Sequence, residues 1–137
     1  MKTAVILVVD DNPTNLKLVS DVLAFEGHEV LKALDAEAAQ VVLSDKIPDL
    51  ILMDIALPGM DGLTLTRQLK ADARTRQIRI VALTAFAMKG DKQKALDAGC
   101  DGYITKPIDT RALPGELASI LAMKMAEFSE NHENSHC

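Results

Sequence analysis

Polar side chains capable of chemistry stand at the ends of several short apolar runs in this sequence of 137 residues. They are Asp10 and Asp11 after the first run, Asp54 at the end of the third, Thr84 after the fourth, and Lys106 after the fifth. The runs predict strands of a parallel sheet, and the carboxyl ends of parallel strands lie along one edge. We therefore expect these residues to converge on one site. Taken singly, each could be a helix cap, a strand-end hydroxyl or a solvated charge.

Three carboxylates at such a site point to phosphoryl transfer assisted by a metal ion. Carboxylates that share a cleft repel one another unless a cation lies among them, and Mg²⁺ prefers oxygen ligands and keeps some of its waters. Such an ion would also shield an incoming phosphate. Asp54 would then accept a phosphoryl group as an acyl phosphate. Lys106 would pair with one phosphate oxygen, and the Thr84 hydroxyl would donate to another.

The elements that position these residues alternate between strand and helix. The predicted strands span residues 4–9, 28–33, 50–53, 78–83 and 101–105. The predicted helices begin at Pro13, cover residues 35–45, begin at Asp61 or Gly62, cover residues 89–98, and begin at Leu113 or Pro114. Right-handed crossovers between strands of one sheet then produce a doubly wound α/β domain of three layers.

Three of these elements carry more specific expectations. Residues 50–53 form an uninterrupted apolar run, which predicts a central strand buried on both faces. The first helix, with Asn12 as its expected cap, has an apolar face at near-helical spacing. This face consists of Leu16, Val19, Leu23 and, one step further on, Phe25. The helix at residues 89–98 has little apolar surface apart from Leu96, its alanines and the preceding Met88, so we expect it to be the least firmly anchored.

The composition is that of a soluble globular protein, with 48% apolar and 26% charged residues. Its formal net charge of −5 provides no basic surface for direct binding to nucleic acid or an anionic membrane. No signal peptide or membrane span is recognisable, and Cys100 and Cys137 are interpreted as reduced thiols of a cytoplasmic protein. We expect one domain over residues 1–124 and a polar, disordered tail over residues 125–137.

Five short motifs surround the predicted site residues. They are VVDDN at residues 8–12, DLILMD at 49–54, PGMDG at 58–62, ALTA at 82–85 and GYITKP at 102–107. In these motifs the sequence resembles the receiver domains of two-component response regulators, and the likeness runs from about Thr3 to Met123. Residues 84–91 are similar to single-domain, DivK-like regulators and to receivers attached to hybrid kinases.

The resemblance implies a single (βα)5 flavodoxin-like domain with strand order 2-1-3-4-5 between two helix layers. It also implies roles for individual residues. Asp54 would be the phosphoacceptor, and Mg²⁺ would be bound by Asp54, by Asp10 or mainly Asp11, and by the Ala56 carbonyl. Thr84 and Lys106 would hold the phosphoryl group as catalytic residues, with a cis peptide bond between Lys106 and Pro107.

The resemblance further implies a phosphorelay. The donor would be a phosphohistidine on a histidine kinase or a histidine phosphotransfer protein. Thr84 and Tyr103 would act as the switch, altering the face formed by helix 89–98, the fifth strand and the last helix, where a downstream protein would bind. Tyr103 could equally be an ordinary packing aromatic. Neither Ala56 nor Phe86 offers an acid or base to hydrolytic water, so we expect slow autodephosphorylation of a monomer or weak dimer.

Several alternatives stay open at this point. The chain could be a receiver taken from a hybrid histidine kinase or a larger regulator rather than a regulator that acts alone. A phosphohydrolase acting through phosphoaspartate would need a second acid at the position of Ala56. A flavin carrier would place phosphate against Asp10 and Asp11, which would repel it. A domain with an inactive site is the remaining alternative. As a receiver, the chain is mainly a signalling domain that catalyses its own phosphorylation and dephosphorylation.

Overall fold

Five strands form one parallel sheet in the computed structural model, which describes residues 3–57, 59–84 and 89–122. They are β1 Val5–Val9, β2 Glu29–Ala33, β3 Leu50–Asp54, β4 Arg79–Thr84 and β5 Gly102–Thr105. Their order across the sheet is β2-β1-β3-β4-β5, and all neighbours are parallel. The predicted flavodoxin-like sheet is confirmed. The predicted tail, residues 125–137, lies outside the described residues.

A helix follows each strand in the chain. The helices are α1 Pro13–Phe25, α2 Ala36–Asp45, α3 Gly62–Ala71, α4 Lys89–Ala98 and α5, residues 113–122. The side chains of Asn12, Asp35 and Asp61 cap α1, α2 and α3 by accepting hydrogen bonds from backbone N–H groups of the first turn. None of these described helices is both long and apolar enough to cross a membrane.

The central strand β3 is buried along its whole length, as its apolar run predicts. Its alternate side chains enter two separate cores, because successive residues of a strand point to opposite faces of the sheet. Ile51 and Met53 pack with residues of α2, α3 and α4, whereas Leu50 and Leu52 pack with residues of α1 and α5. The sheet therefore lies between two helix layers, which confirms the three-layer α/β architecture.

Two apolar residues predicted to anchor helices are instead exposed to solvent. Phe25 is 89% exposed and Leu96 is 45% exposed. Phe25 follows the buried Leu23 by two residues, a rotation of about 200° around the helix axis, which turns its ring away from the sheet. The helix α4 is held by two of its predicted alanines, Ala95 and Ala98, both buried, whereas Met88 lies outside the described residues.

An ion-paired carboxylate secures the amino ends of β4 and β5, opposite the predicted site. Asp101, immediately before β5, accepts a hydrogen bond of 2.9 Å from the Ile80 N–H. The same oxygen, Oδ2, lies 3.0 Å from Nζ of Lys70 in α3. These contacts connect α3 to both strands, so they help to fix the strands whose far ends carry Thr84 and Lys106.

The thiol of Cys100 lies in the core that includes α2, α3 and α4. Burial raises the pKa of Cys100 from 9.0 to about 11, while a hydrogen bond with Thr66 acts in the opposite direction. Because the thiolate is the reactive form, we expect Cys100 to be inert towards thiol reagents at neutral pH. In a Cys137→Ser variant, labelling by an aromatic disulfide reagent should follow the rate of unfolding. Rapid labelling of the folded variant would contradict this expectation.

Candidate functional site

Three carboxylates meet at the carboxyl edge of the sheet. Asp10 directly follows β1 and Asp54 ends β3, and the pairing of Val9 with Met53 brings these two strand ends side by side. Asp10, Asp11 and Asp54 each offer an oxygen, and the three oxygens lie within 4.8 Å of one another. Asp10 and Asp54 are buried, whereas Asp11 is exposed. The structure thus brings together the three predicted acidic residues.

The ammonium of Lys106 enters this acidic cluster from the end of β5. Its Nζ lies 2.9 Å from Oδ2 of Asp54 and 3.5 Å from Oδ2 of Asp10. Partial burial alone lowers the pKa of Lys106, but the hydrogen bond and charge of Asp54, together with Asp10, outweigh burial and raise that pKa. Lys106 is therefore a protonated cation facing two buried carboxylates. The Lys106–Pro107 peptide bond is cis, as predicted.

Two donors orient the carboxylate of Asp54. The backbone N–H of Ala56 donates to Oδ1 at 2.9 Å, and Lys106 Nζ donates to Oδ2 at 2.9 Å. Each oxygen of Asp54 consequently has a donor, which limits rotation of the carboxylate. The Ala56 carbonyl as a metal ligand stays a prediction. Phe86, which like Ala56 is predicted to offer no acid or base to hydrolytic water, lies outside the described residues.

Asp10 is held by the beginning of α1. The backbone N–H of Asn12 donates to Oδ1 of Asp10 at 2.9 Å, and the side-chain amide of Asn15 donates to Oδ2. Asn15 is not among the predicted site residues. Its position three residues after the cap Asn12 is the signal that could have indicated it, because a side chain there often reaches back towards the helix start.

Thr84 and Tyr103, the predicted switch residues, lie on neighbouring strands. Thr84 is buried at the end of β4, and its carbonyl accepts a hydrogen bond of 2.7 Å from the Lys106 N–H. Tyr103 on β5 is partly buried and packs against the core that contains Ala95 of α4. This packing is that of an ordinary core aromatic. The switch role of both residues stays a prediction.

Gly62, the first residue of α3, permits a close approach to the phosphoacceptor candidate. A Cβ atom at this position would lie 2.3 Å from the carbonyl oxygen of Asp54 and 2.9 Å from Cα of Ile55. Both are backbone atoms, which cannot move aside as the end of a side chain can. Only glycine therefore allows the start of α3 to lie against the end of β3.

The acidic cluster suits a hard divalent cation. All of its donors are carboxylate oxygens, the ligand type that Mg²⁺ prefers. Asp10 and Asp54 are buried and share the one ammonium of Lys106, so the cluster has an excess of negative charge that a cation would neutralise. The residues present fit a magnesium ion.

This chain is similar to known response regulators, and a protein family matches most of its length. The family described as response regulator receiver domain matches residues 6–118. The polar-differentiation response regulator DivK of Brucella ovis is 42% identical over 106 residues, which cover 77% of this chain and 86% of DivK. The response regulator PleD of Caulobacter vibrioides is 40% identical over 123 residues, covering 90% of this chain. The chain spans only 27% of the length of PleD.

A solved structure is similar in both fold and sequence. It is the receiver domain of the sensor histidine kinase PA1611 from Pseudomonas aeruginosa, with a TM-score of 0.80 and 34% identity. The match covers 88% of this chain and 99% of that chain. The PA1611 structure has a magnesium ion coordinated in its active site cleft.

Proposed function

Since this chain belongs to the response regulator receiver domains of two-component systems, we propose that Asp54 accepts a phosphoryl group from a phosphohistidine. The observation that carries this proposal is the buried Asp54 carboxylate, whose Oδ2 lies 2.9 Å from Lys106 Nζ beside two further carboxylates. An Asp54 oxygen would attack phosphorus as the phosphorus–nitrogen bond breaks. The electron pair of that bond leaves with the imidazole nitrogen, and an acyl phosphate forms.

Asp10, Asp11 and Asp54, together with the Ala56 carbonyl, would hold Mg²⁺. Receiver domains generally bind Mg²⁺ at such an acidic site, and the magnesium in the cleft of the PA1611 receiver supports the same assignment here. When bound, the ion supplies positive charge that offsets repulsion between the carboxylates and the incoming phosphate.

The remaining site residues would act on the transferred group. Lys106 pairs with Asp54 before transfer. After transfer, its ammonium would pair as a point charge with a negatively charged phosphoryl oxygen. The Thr84 hydroxyl would donate to another phosphoryl oxygen. The Ala56 N–H, at 2.9 Å from Oδ1, would hold the Asp54 carboxylate in one orientation during attack.

Receiver domains interact with histidine kinases or phosphotransfer proteins. We propose that a downstream protein binds the face formed by α4, β5 and α5, and that Thr84 and Tyr103 link this output face to the site. The contact of Tyr103 with the core that contains Ala95 supports this assignment, because movement of the ring would alter the support of α4. A cytoplasmic location agrees with such a role.

Incubation with acetyl phosphate and Mg²⁺, followed by intact mass analysis, tests the phosphoacceptor. We expect the wild type to gain the mass of one phosphoryl group and Asp54→Asn to gain none, because an amide is a far weaker nucleophile than a carboxylate. A chelator should prevent the gain. Amide NMR signals of β5 and α4 should shift in the phosphorylated protein only.

Asp45→Asn is the matched control, because Asp45 is an exposed carboxylate at the end of α2, outside the acidic cluster. It should be phosphorylated like the wild type. An equal mass gain in Asp54→Asn would place the phosphoacceptor elsewhere. Unchanged β5 and α4 signals in a fully phosphorylated sample would exclude the proposed output face.

A further inference from the structure

We propose that Asn15 is a positioning residue, which keeps the Lys106 ammonium on Asp54 by satisfying the neighbouring carboxylate of Asp10. The consequence of this positioning for phosphoryl transfer rests on the proposed function of Asp54. Its structural part, the partition of Lys106 between two carboxylates, is independent of any phosphodonor.

The geometry at Asp10 carries this inference. The side chain of Asp10 has no solvent exposure, so each of its oxygens needs a donor from the protein or a cation. Oδ1 accepts from the Asn12 N–H, and Oδ2 accepts from the Asn15 amide. Lys106 Nζ lies 3.5 Å from this same Oδ2, but 2.9 Å from Oδ2 of Asp54. The amide therefore occupies the oxygen for which Lys106 would otherwise compete.

The position of Asn15 in α1 makes this contact available. Its backbone N–H donates to Oδ1 of the cap Asn12 at 3.1 Å, which fixes the first turn of the helix. Side chains in a helix lean towards its amino end, so the amide of Asn15 returns to the residue that precedes the cap. The usual reciprocal bond to the cap N–H is absent, because the Asn12 N–H donates to Asp10.

A neutral donor suits this position better than a charged one. A lysine or arginine here would cancel negative charge that the cluster needs to attract Mg²⁺, and an aspartate or glutamate would add to the repulsion. The carboxamide supplies a hydrogen bond and leaves the charge of Asp10 in place. Asn15 thus orients Asp10 towards Asp11 and Asp54 without changing the formal charge of the cluster.

Without the Asn15 amide, Oδ2 of Asp10 would be a buried carboxylate oxygen lacking that donor, which is costly. Lys106 already lies 3.5 Å away and would move to Asp10, leaving Asp54. Asp10 would also lose the hydrogen bond that orients it as a candidate metal ligand. Loss of a hydrogen bond that orients a metal ligand typically weakens metal binding by about 10- to 100-fold, and we expect the lower part of that range for Asn15→Ala.

The experiment uses the full chain, first without metal. Carboxyl ¹³C shifts of Asp10 and Asp54 and the ¹⁵N shift of the Lys106 ammonium report which carboxylate Lys106 contacts. In Asn15→Ala these shifts should show transfer of Lys106 from Asp54 to Asp10. Calorimetric titration with MgCl₂ alone should then show about 10-fold weaker binding than the wild type. Asn15→Gln, which keeps an amide donor, should restore much of the affinity.

Thr75→Ala separates positioning from a general loss of stability, because it removes the buried hydrogen bond from the Thr75 hydroxyl to the Leu69 carbonyl, outside the acidic cluster. It should lower the melting temperature and leave the Mg²⁺ affinity unchanged. If Asn15→Ala is unfolded, Asn15→Ser, whose hydroxyl is too short to replace the amide, takes its place.

Unchanged Asp54 and Lys106 shifts in the folded Asn15 variant would overturn the inference, as would an affinity loss equal to that of Thr75→Ala. Failure of the wild type to bind Mg²⁺ or to be phosphorylated would count against the proposed function instead. In either case, the shifts measured without metal test whether Asn15 keeps Lys106 on Asp54.

Discussion

Replacing Lys106 with methionine is expected to slow phosphoryl transfer to Asp54 by about 10²- to 10³-fold, the usual effect of removing one preorganised group that stabilises developing charge. Methionine keeps most of the length of the side chain and removes its charge. The same change should strengthen Mg²⁺ binding, because the ammonium 2.9 Å from Asp54 and 3.5 Å from Asp10 no longer competes for these carboxylates. Intact mass analysis during incubation with acetyl phosphate measures the rate, and calorimetry measures the affinity.

The two opposite effects distinguish a loss of charge from a loss of structure, since an unfolded protein would lose both properties. Lys46→Met is the matched control, because Lys46 pairs at 2.6 Å with Glu29 on the exposed surface, outside the site. Exposed pairs of this kind contribute little to stability. Lys106→Arg should restore transfer only in part, because a planar guanidinium does not replace a compact ammonium. Transfer at the wild-type rate in Lys106→Met would contradict the role assigned to Lys106.

Gly62→Ala is expected to lower the free energy of unfolding by about 1–3 kcal/mol, the usual cost of forcing extra atoms into a packed interior. The added Cβ would lie 2.3 Å from the carbonyl oxygen of Asp54 and 2.9 Å from Cα of Ile55. Either α3 or the end of β3 must move, and the second movement displaces the phosphoacceptor candidate. We therefore also expect slower phosphorylation by acetyl phosphate. Urea denaturation measures the stability, and intact mass analysis measures the phosphorylation.

Gly115→Ala serves as the control within the same protein. Gly115 lies in α5, and an added Cβ there would meet no atom within 4 Å. Alanine is a better helix former than glycine by about 1 kcal/mol, so this variant should be slightly more stable and be phosphorylated normally. If Gly62→Ala resembled Gly115→Ala in both measurements, the close contact between α3 and β3 would have no energetic consequence.

Local patterns in the sequence suffice for most elements of the fold. The run at residues 50–53 predicts the buried strand β3, and Asn12 and Asp61 predict the starts of α1 and α3. These signals lie within a few adjacent residues, so they can be recognised without knowledge of the rest of the chain. Phe25 shows their limit, because one apolar residue beyond the face of α1 belongs to the solvent side of the helix.

The sequence by itself also determines that Asp10, Asp54 and Lys106 share one edge, because parallel strands must end together. The order of the strands and the role of each site residue come from the family resemblance. Only the tertiary structure decides that Lys106 contacts Asp54 more closely than Asp10 and that Asn15 holds Asp10. Only the tertiary structure shows that Gly62 touches the end of β3. These features depend on distances of a few ångströms between side chains and backbone of packed elements, and no periodicity along the chain encodes such distances.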